Sequence, residues 1–127
     1  KLRSRVEGQY RTGLVTASPL HNIDFLCELI HLDNIFEHII SGDESARNKP
    51  HPDPYFEMME RLNVLPNNTI IIEDSLHGIQ AALASGAAVI AKTGSVPESD
   101  LSIAHRIITH LDEITHNMIE DLLQGDK

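Results

Sequence analysis

Residues Thr69-Ile70-Ile71-Ile72 place four β-branched side chains in a row and then stop abruptly at Glu73-Asp74-Ser75. A strand with one face in water alternates apolar and polar residues. An unbroken apolar run instead suits a strand covered on both faces, as in a parallel sheet. The next segment narrows the choice further. Leu76 to Ser85 is a small-residue stretch of helical character, and Gly86 stops it, its missing Cβ suiting a left-handed cap.

The rest of the chain repeats this order. Arg11 to Ala17 is a short β-compatible run, and Pro19 precedes a helical pattern with Leu20, Ile23, Leu26, Leu29 and Ile30 as one face. Ile35 to Ser41 is a second candidate strand, and the polar, proline-punctuated stretch 43–52 reads as a loop. Asp53-Pro54 predicts a helix start with Asp53 as cap, continued by Phe56, Met59 and Leu62. Val89 to Ala91 and Arg106 to Thr109 are further strand candidates, and Ile114 to Leu123 a closing helix. Strands alternating with helices imply right-handed crossovers and an α/β, Rossmann-like parallel sheet in three layers. Ligands of such sheets sit at the carboxyl ends of the strands. Thr16-Ala17-Ser18 and Glu73-Asp74 would both lie on that edge.

Composition excludes several functions. Among 127 residues, 19 are acidic and 10 basic, a formal net charge of −9. Binding to nucleic acid or to anionic lipid draws on Lys and Arg, so neither is expected as a partner. The longest mostly apolar stretch, Ala81 to Ala91, is broken by Ser85 and Gly86 and too short to span a bilayer. The charged segment Lys1 to Tyr10 has no apolar core of a signal peptide. Cys27 is the single cysteine and cannot form an internal disulfide. These features fit one domain, residues 1–127, in the cytoplasm.

Two carboxylates directly after a buried strand are costly unless something pairs with them. Glu73 and Asp74 could share Mg²⁺ with water and a phosphate, a hard cation on oxygen ligands. They could equally cap the next helix, as could Ser75. Lys49, in Asn-Lys-Pro-His-Pro-Asp-Pro, could neutralise a phosphoryl group or a neighbouring carboxylate, or be a solvated loop lysine. Thr16, where a strand gives way to a helix, could hold an anion with the adjacent amides, while Ser18 suits an N-cap.

Taken in chain order, strand–Thr16, loop Lys49-Pro50 and strand–Glu73-Asp74-Ser75-Leu76-His77-Gly78-Ile79 resemble the haloacid dehalogenase superfamily. The likeness is to its phosphatase and β-phosphoglucomutase branch and extends over roughly residues 1–110. The resemblance implies that Thr16 and the amide of Ala17 bind phosphoryl oxygens and that Lys49 stabilises charge. It further implies that Asp74, assisted by Glu73, binds Mg²⁺, and that a small phosphorylated metabolite is the substrate. In that family the phosphoryl group passes to an aspartate and then to water or a second acceptor.

The family's first motif, an Asp-x-Asp pair after an opening strand, has no counterpart in the sequence. Asp112-Glu113-Ile114 has isoleucine where the second aspartate belongs. The substrate-choosing cap is also missing, so residue 1 reads as a start partway into a longer protein, the C-terminal portion of a core. This chain alone is then expected to have no significant turnover. The family's first-motif strand lies between the strands carrying Thr16 and Glu73. Their edges are therefore expected to pair directly or to be bridged by another chain, through self-association or strand complementation.

Two rival readings remain. One is a non-catalytic binding or regulatory module that kept the sheet and lost the nucleophile. The other is a receiver-like domain, but there the acidic pair ends the first strand, and here it follows a later one. The eight histidines show no zinc-type spacing. His77 and His51 are neighbours of the acidic pair and of Lys49, while His105 and the others read as surface or boundary residues.

Overall fold

The computed structural model describes residues 10–16, 20–31, 35–42, 44, 47–94 and 97–125. Its strands are β1 (Gly13–Val15), β2 (His38–Ile40), β3 (Ile70–Glu73), β4 (Ala88–Lys92) and β5 (Arg106–Ile108). Its helices are α1 (Leu20–Ile30), α2 (Asp53–Leu62), α3 (Leu76–Ala84), α4 (Glu98–Leu101) and α5 (His116–Leu123). All pairings are parallel, which bears out the α/β class. Among the described residues no helix is long and apolar enough to cross a membrane.

The sheet comes in two pieces, β1–β2 and β3–β4–β5. In the first, Gly13, Leu14 and Val15 face His38, Ile39 and Ile40, and the Thr16 amide donates to the Ile40 carbonyl. The second aligns Ile70 to Glu73 with Ala88 to Ala91, and Ile90 to Lys92 with Arg106 to Ile108. The expected direct pairing of the strands carrying Thr16 and Glu73 does not occur. Both pieces instead lean on α2, so packing sets their separation. Val15 touches the Ile40–Met58–Leu62 cluster and also the main core around Tyr55, Ile79 and Val89. Gly13 lets β1 approach this helix, because a Cβ there would collide with the Met58 side chain.

Three layers are clearest around β3–β4–β5. Tyr55, Met59, Ile79, Ala81, Ala82 and Leu101 cover one face, from α2, α3 and α4. On the other, Ile114 and Leu122 pack over Ala88, Ile90 and Ile108. Two-sided burial belongs to β4, where Ala88 to Ala91 are all 0% exposed. It was expected of β3, but Ile72 is 40% exposed. Among the described residues β3 is the edge of its sheet, with no strand on its far side.

Local signals hold with adjustments. Ser75 caps α3, its hydroxyl accepting from the Gly78 amide at 3.0 Å, and Gly86 takes φ +88° just past the helix end. Asp53 does not cap α2: the cap position is Pro52, and Asp53 is already helical and paired with Arg47. The buried stripe of α2 is Tyr55, Met58, Met59 and Leu62, the i, i+3, i+4, i+7 spacing of a helix face. Phe56, expected inside, is offset from it and half-exposed. Leu29 of α1 is also exposed, and the side chains of Leu20, Ile23, Leu26 and Ile30 lie outside the described residues, as do residues 1–9. The short α4 had no periodic signal, yet it buries Leu101 completely.

Candidate active site

Along the whole length of β1 and β3 the two sheet pieces border a cavity of about 1270 Å³, which reaches the carboxyl ends of both strands. Thr16, Lys49, Glu73 and Asp74, from three separate stretches of chain, all line it. Four of the five residues singled out from sequence are thus brought together, and Ala17 lies outside the described residues, with Ser18 beside it. The amino-terminal side of the cavity is apolar, walled by Leu14, Ile70 and Ile72.

Glu73 ends β3 with its side chain on the buried face, at 8% exposure. Its Oε2 accepts from Lys49 Nζ at 2.6 Å and from the hydroxyl of Tyr55. The carboxylate rests against Gly78 in the first turn of α3, where any Cβ would strike it. The glycine of the Ser-x-x-Gly stretch therefore makes room for the acid five positions earlier.

Lys49 reaches from the loop before α2. Besides Glu73 it donates to the Val15 carbonyl at 3.4 Å, so one ammonium touches both sheet pieces. Its Nζ also lies 5.3 Å from the Tyr55 ring centroid, within cation–π range. A buried ion pair is tolerable only when its leftover donors and acceptors find partners. Here Tyr55 and Val15 supply them.

Asp74 is the next residue along, and its side chain is exposed, as an extended strand end requires of successive residues. The Glu73-Asp74 pair is thus divided: one acid turns inward to a lysine and a tyrosine, the other faces the cavity. Helix capping falls to Ser75, so Asp74 is not needed for it. Among the described residues no three His, Cys, Asp or Glu side chains cluster as a ready metal cage. The donor set suits a cation that keeps much of its water, which Mg²⁺ does while using one or two carboxylates plus phosphate oxygens.

Tyr55 escaped the sequence reading, which followed Phe56 along the same helix. The signal that could have found it was the better helical stripe through 55, 58, 59 and 62. His77 lines the cavity and is exposed, and His51 is exposed in the Lys49 loop. His105 is more than a boundary residue: its Nδ1 accepts from the Val89 amide at 2.9 Å.

Comparison with known proteins bears on the family and the fold. Residues 2–92 match the family model described as haloacid dehalogenase-like hydrolase. Phosphoglycolate phosphatase of Escherichia coli K12 is 38% identical over 74 residues, which are 58% of this chain and 29% of that enzyme. A haloacid dehalogenase hydrolase of family IA, variant 3, from Entamoeba histolytica superposes with a TM-score of 0.81 at 28% identity, over 89% of this chain and 53% of that one. The CbbY protein of Rhodobacter sphaeroides, solved with xylulose-(1,5)bisphosphate, gives 0.79 at 29% identity, over 88% and 52%. The chain thus spans about half the length of these solved proteins and less of the bacterial enzyme.

Proposed function

This chain belongs to the haloacid dehalogenase-like hydrolase family, and on that premise we propose that it supplies the C-terminal part of a Mg²⁺-dependent phosphatase core acting on a small phosphorylated metabolite. The observation that carries this reading is the meeting of Thr16, Lys49, Glu73 and Asp74 around one cavity at the strand ends. Lys49, steadied by Glu73 and the Val15 carbonyl, presents its charge to a phosphoryl group. By the family resemblance, Thr16 and the amide of Ala17 bind phosphoryl oxygens. Asp74, which faces the cavity, would hold Mg²⁺, and Glu73 would assist from behind through its pairing with Lys49. When bound, the ion would neutralise phosphoryl charge and orient its oxygens.

The nucleophilic aspartate of an aspartyl-phosphate route has no match in this sequence, so by itself the chain should bind phosphate without turning substrate over. Calorimetric titration with inorganic phosphate and Mg²⁺ tests this. Saturable phosphate binding is expected to require Mg²⁺, to vanish in Asp74→Asn and to weaken about tenfold in Lys49→Met, the scale of one lost charge-assisted bond. Binding indifferent to both substitutions, or no binding, would refute the reading. Robust Mg²⁺-dependent hydrolysis of a phosphate ester that Asp74→Asn abolishes would refute the inactivity. The two rival edges favour a second reading, in which a strand from a second copy bridges β1 and β3. Sedimentation velocity should then show a dimer; a monomer at all concentrations rules this out.

A further inference from the structure

We propose that Tyr55 is a positioning residue of this site: its hydroxyl shares the charge of Glu73 and so keeps Lys49 available to a phosphoryl ligand. The inference rests on the proposed phosphate site and adds a residue that neither the family motifs nor the sequence pattern singled out.

The geometry is that of a braced ion pair. Lys49 has a flexible four-carbon stem and sits in a loop, so its ammonium is held by its contacts with Glu73 and the Val15 carbonyl and not by its own backbone. Tyr55, by contrast, is 6% exposed on a helix whose Met58, Met59 and Leu62 are all core. From that rigid base it makes two contacts that converge on the pair. Its ring lies 5.3 Å from Nζ, and its hydroxyl donates to Oε2 of Glu73, the oxygen that also accepts from Nζ. Gly78 closes the other side of the carboxylate. Glu73 therefore has one orientation, set by groups on α2 and α3.

An oxygen with two donors pulls less on each than an oxygen with one. With the tyrosine hydroxyl in place, the Lys49 ammonium gives one N–H to Glu73 and one to the Val15 carbonyl, and its third is left for an anion. Without it, the lysine becomes the principal donor to a mostly buried carboxylate and is drawn toward it, away from the cavity. Tyr55→Phe isolates this effect, because it keeps the ring and its packing and removes one donor.

The test combines two measurements on the intact chain. The first is the ¹⁵N resonance of the Lys49 side chain, assigned by its loss in Lys49→Met. Tyr55→Phe should shift it in the absence of any ligand, whereas the same substitution on a Glu73→Gln background should add no further shift. The second is inorganic phosphate affinity with Mg²⁺ present, expected to fall about five- to tenfold in Tyr55→Phe while the midpoint of thermal unfolding moves little. An unchanged Lys49 resonance overturns the proposal, as does an equal shift on the Glu73→Gln background, which would place the effect outside Glu73. Unchanged phosphate affinity beside wild-type binding also overturns it. If the wild-type chain binds no phosphate, the functional reading fails, and the proposal fails with it as a statement about ligand; the resonance then still decides whether Tyr55 governs Lys49 through Glu73.

Discussion

The β3–β4–β5 sheet and the β1–β2 pair use similar apolar residues and the same parallel pairing, yet they are buried very differently. Ala88 to Ala91 of β4 are sealed between helices on both faces, while Gly13, Leu14 and Val15 of β1 are only half-buried. The first piece has the α2–α3–α4 layer beneath it and α5 above. The second leans on α2 through Ile40, Met58 and Leu62. Stability is thus concentrated in one piece, and the candidate site spans the seam to the other. Lys49 touches both at the carboxyl edge, through Glu73 and the Val15 carbonyl. A site across such a seam needs specific braces, since general burial does not supply them.

The sharpest way to break this contrast is to delete apolar volume from each side. Ile90→Ala, at a fully buried position of β4, should cost about 3 kcal/mol, and Leu14→Ala on half-buried β1 about 1 kcal/mol, scaled from large-to-small core substitutions. Urea denaturation followed by circular dichroism measures both. Equal losses would show that the two pieces carry stability alike.

A smaller effect should appear at the brace itself. Gly78→Ala puts a methyl group where the Glu73 carboxylate lies. Overpacking of this kind costs about 2 kcal/mol, less than Ile90→Ala, because the carboxylate has a cavity to move into. The distinguishing readout is the Lys49 side-chain resonance, which should move in Gly78→Ala and stay put in Ile90→Ala. If Gly78→Ala leaves both stability and that resonance unchanged, Gly78 has no part in holding the acid.

Acid gives the mildest contrast. Glu44 is held below its ordinary value of 4.5, first by the Ser41 amide it accepts from, against some desolvation, and then by Arg61. Glu37 is lowered first by the Thr12 amide and then by Arg11, and Glu113 by the amides of His110 and Thr109. A carboxyl lowered on folding binds its proton more tightly when unfolded. Its contribution is therefore complete above pH 4.5 and is lost as pH falls through the lower folded value. Glu37 and Glu44 serve the β1–β2 side and Glu113 the other. Hydrogen exchange at pH 3.5 should thus rise in β1–β2 before β4. Uniform loss of protection would remove the distinction.

Local chemistry was legible from the chain alone. The step from Ile70-Ile71-Ile72 into Glu73-Asp74-Ser75 marked a strand, an acidic end and a capped helix, because β-branching, a short hydroxyl side chain and a glycine stop act within a few residues. Thr16, Lys49, Glu73 and Asp74 could be nominated for the same reason, as could the alternation of strands and helices. Tertiary structure decided which acid turned inward, which strand became an edge, and that Tyr55 rather than Phe56 faces the core. Those outcomes depend on partners 18 and 24 positions away along the chain, such as Tyr55 and Lys49 on Glu73. Local spacing cannot encode such meetings, because they exist only after the helices have packed and set how far apart the two pieces of sheet will stand.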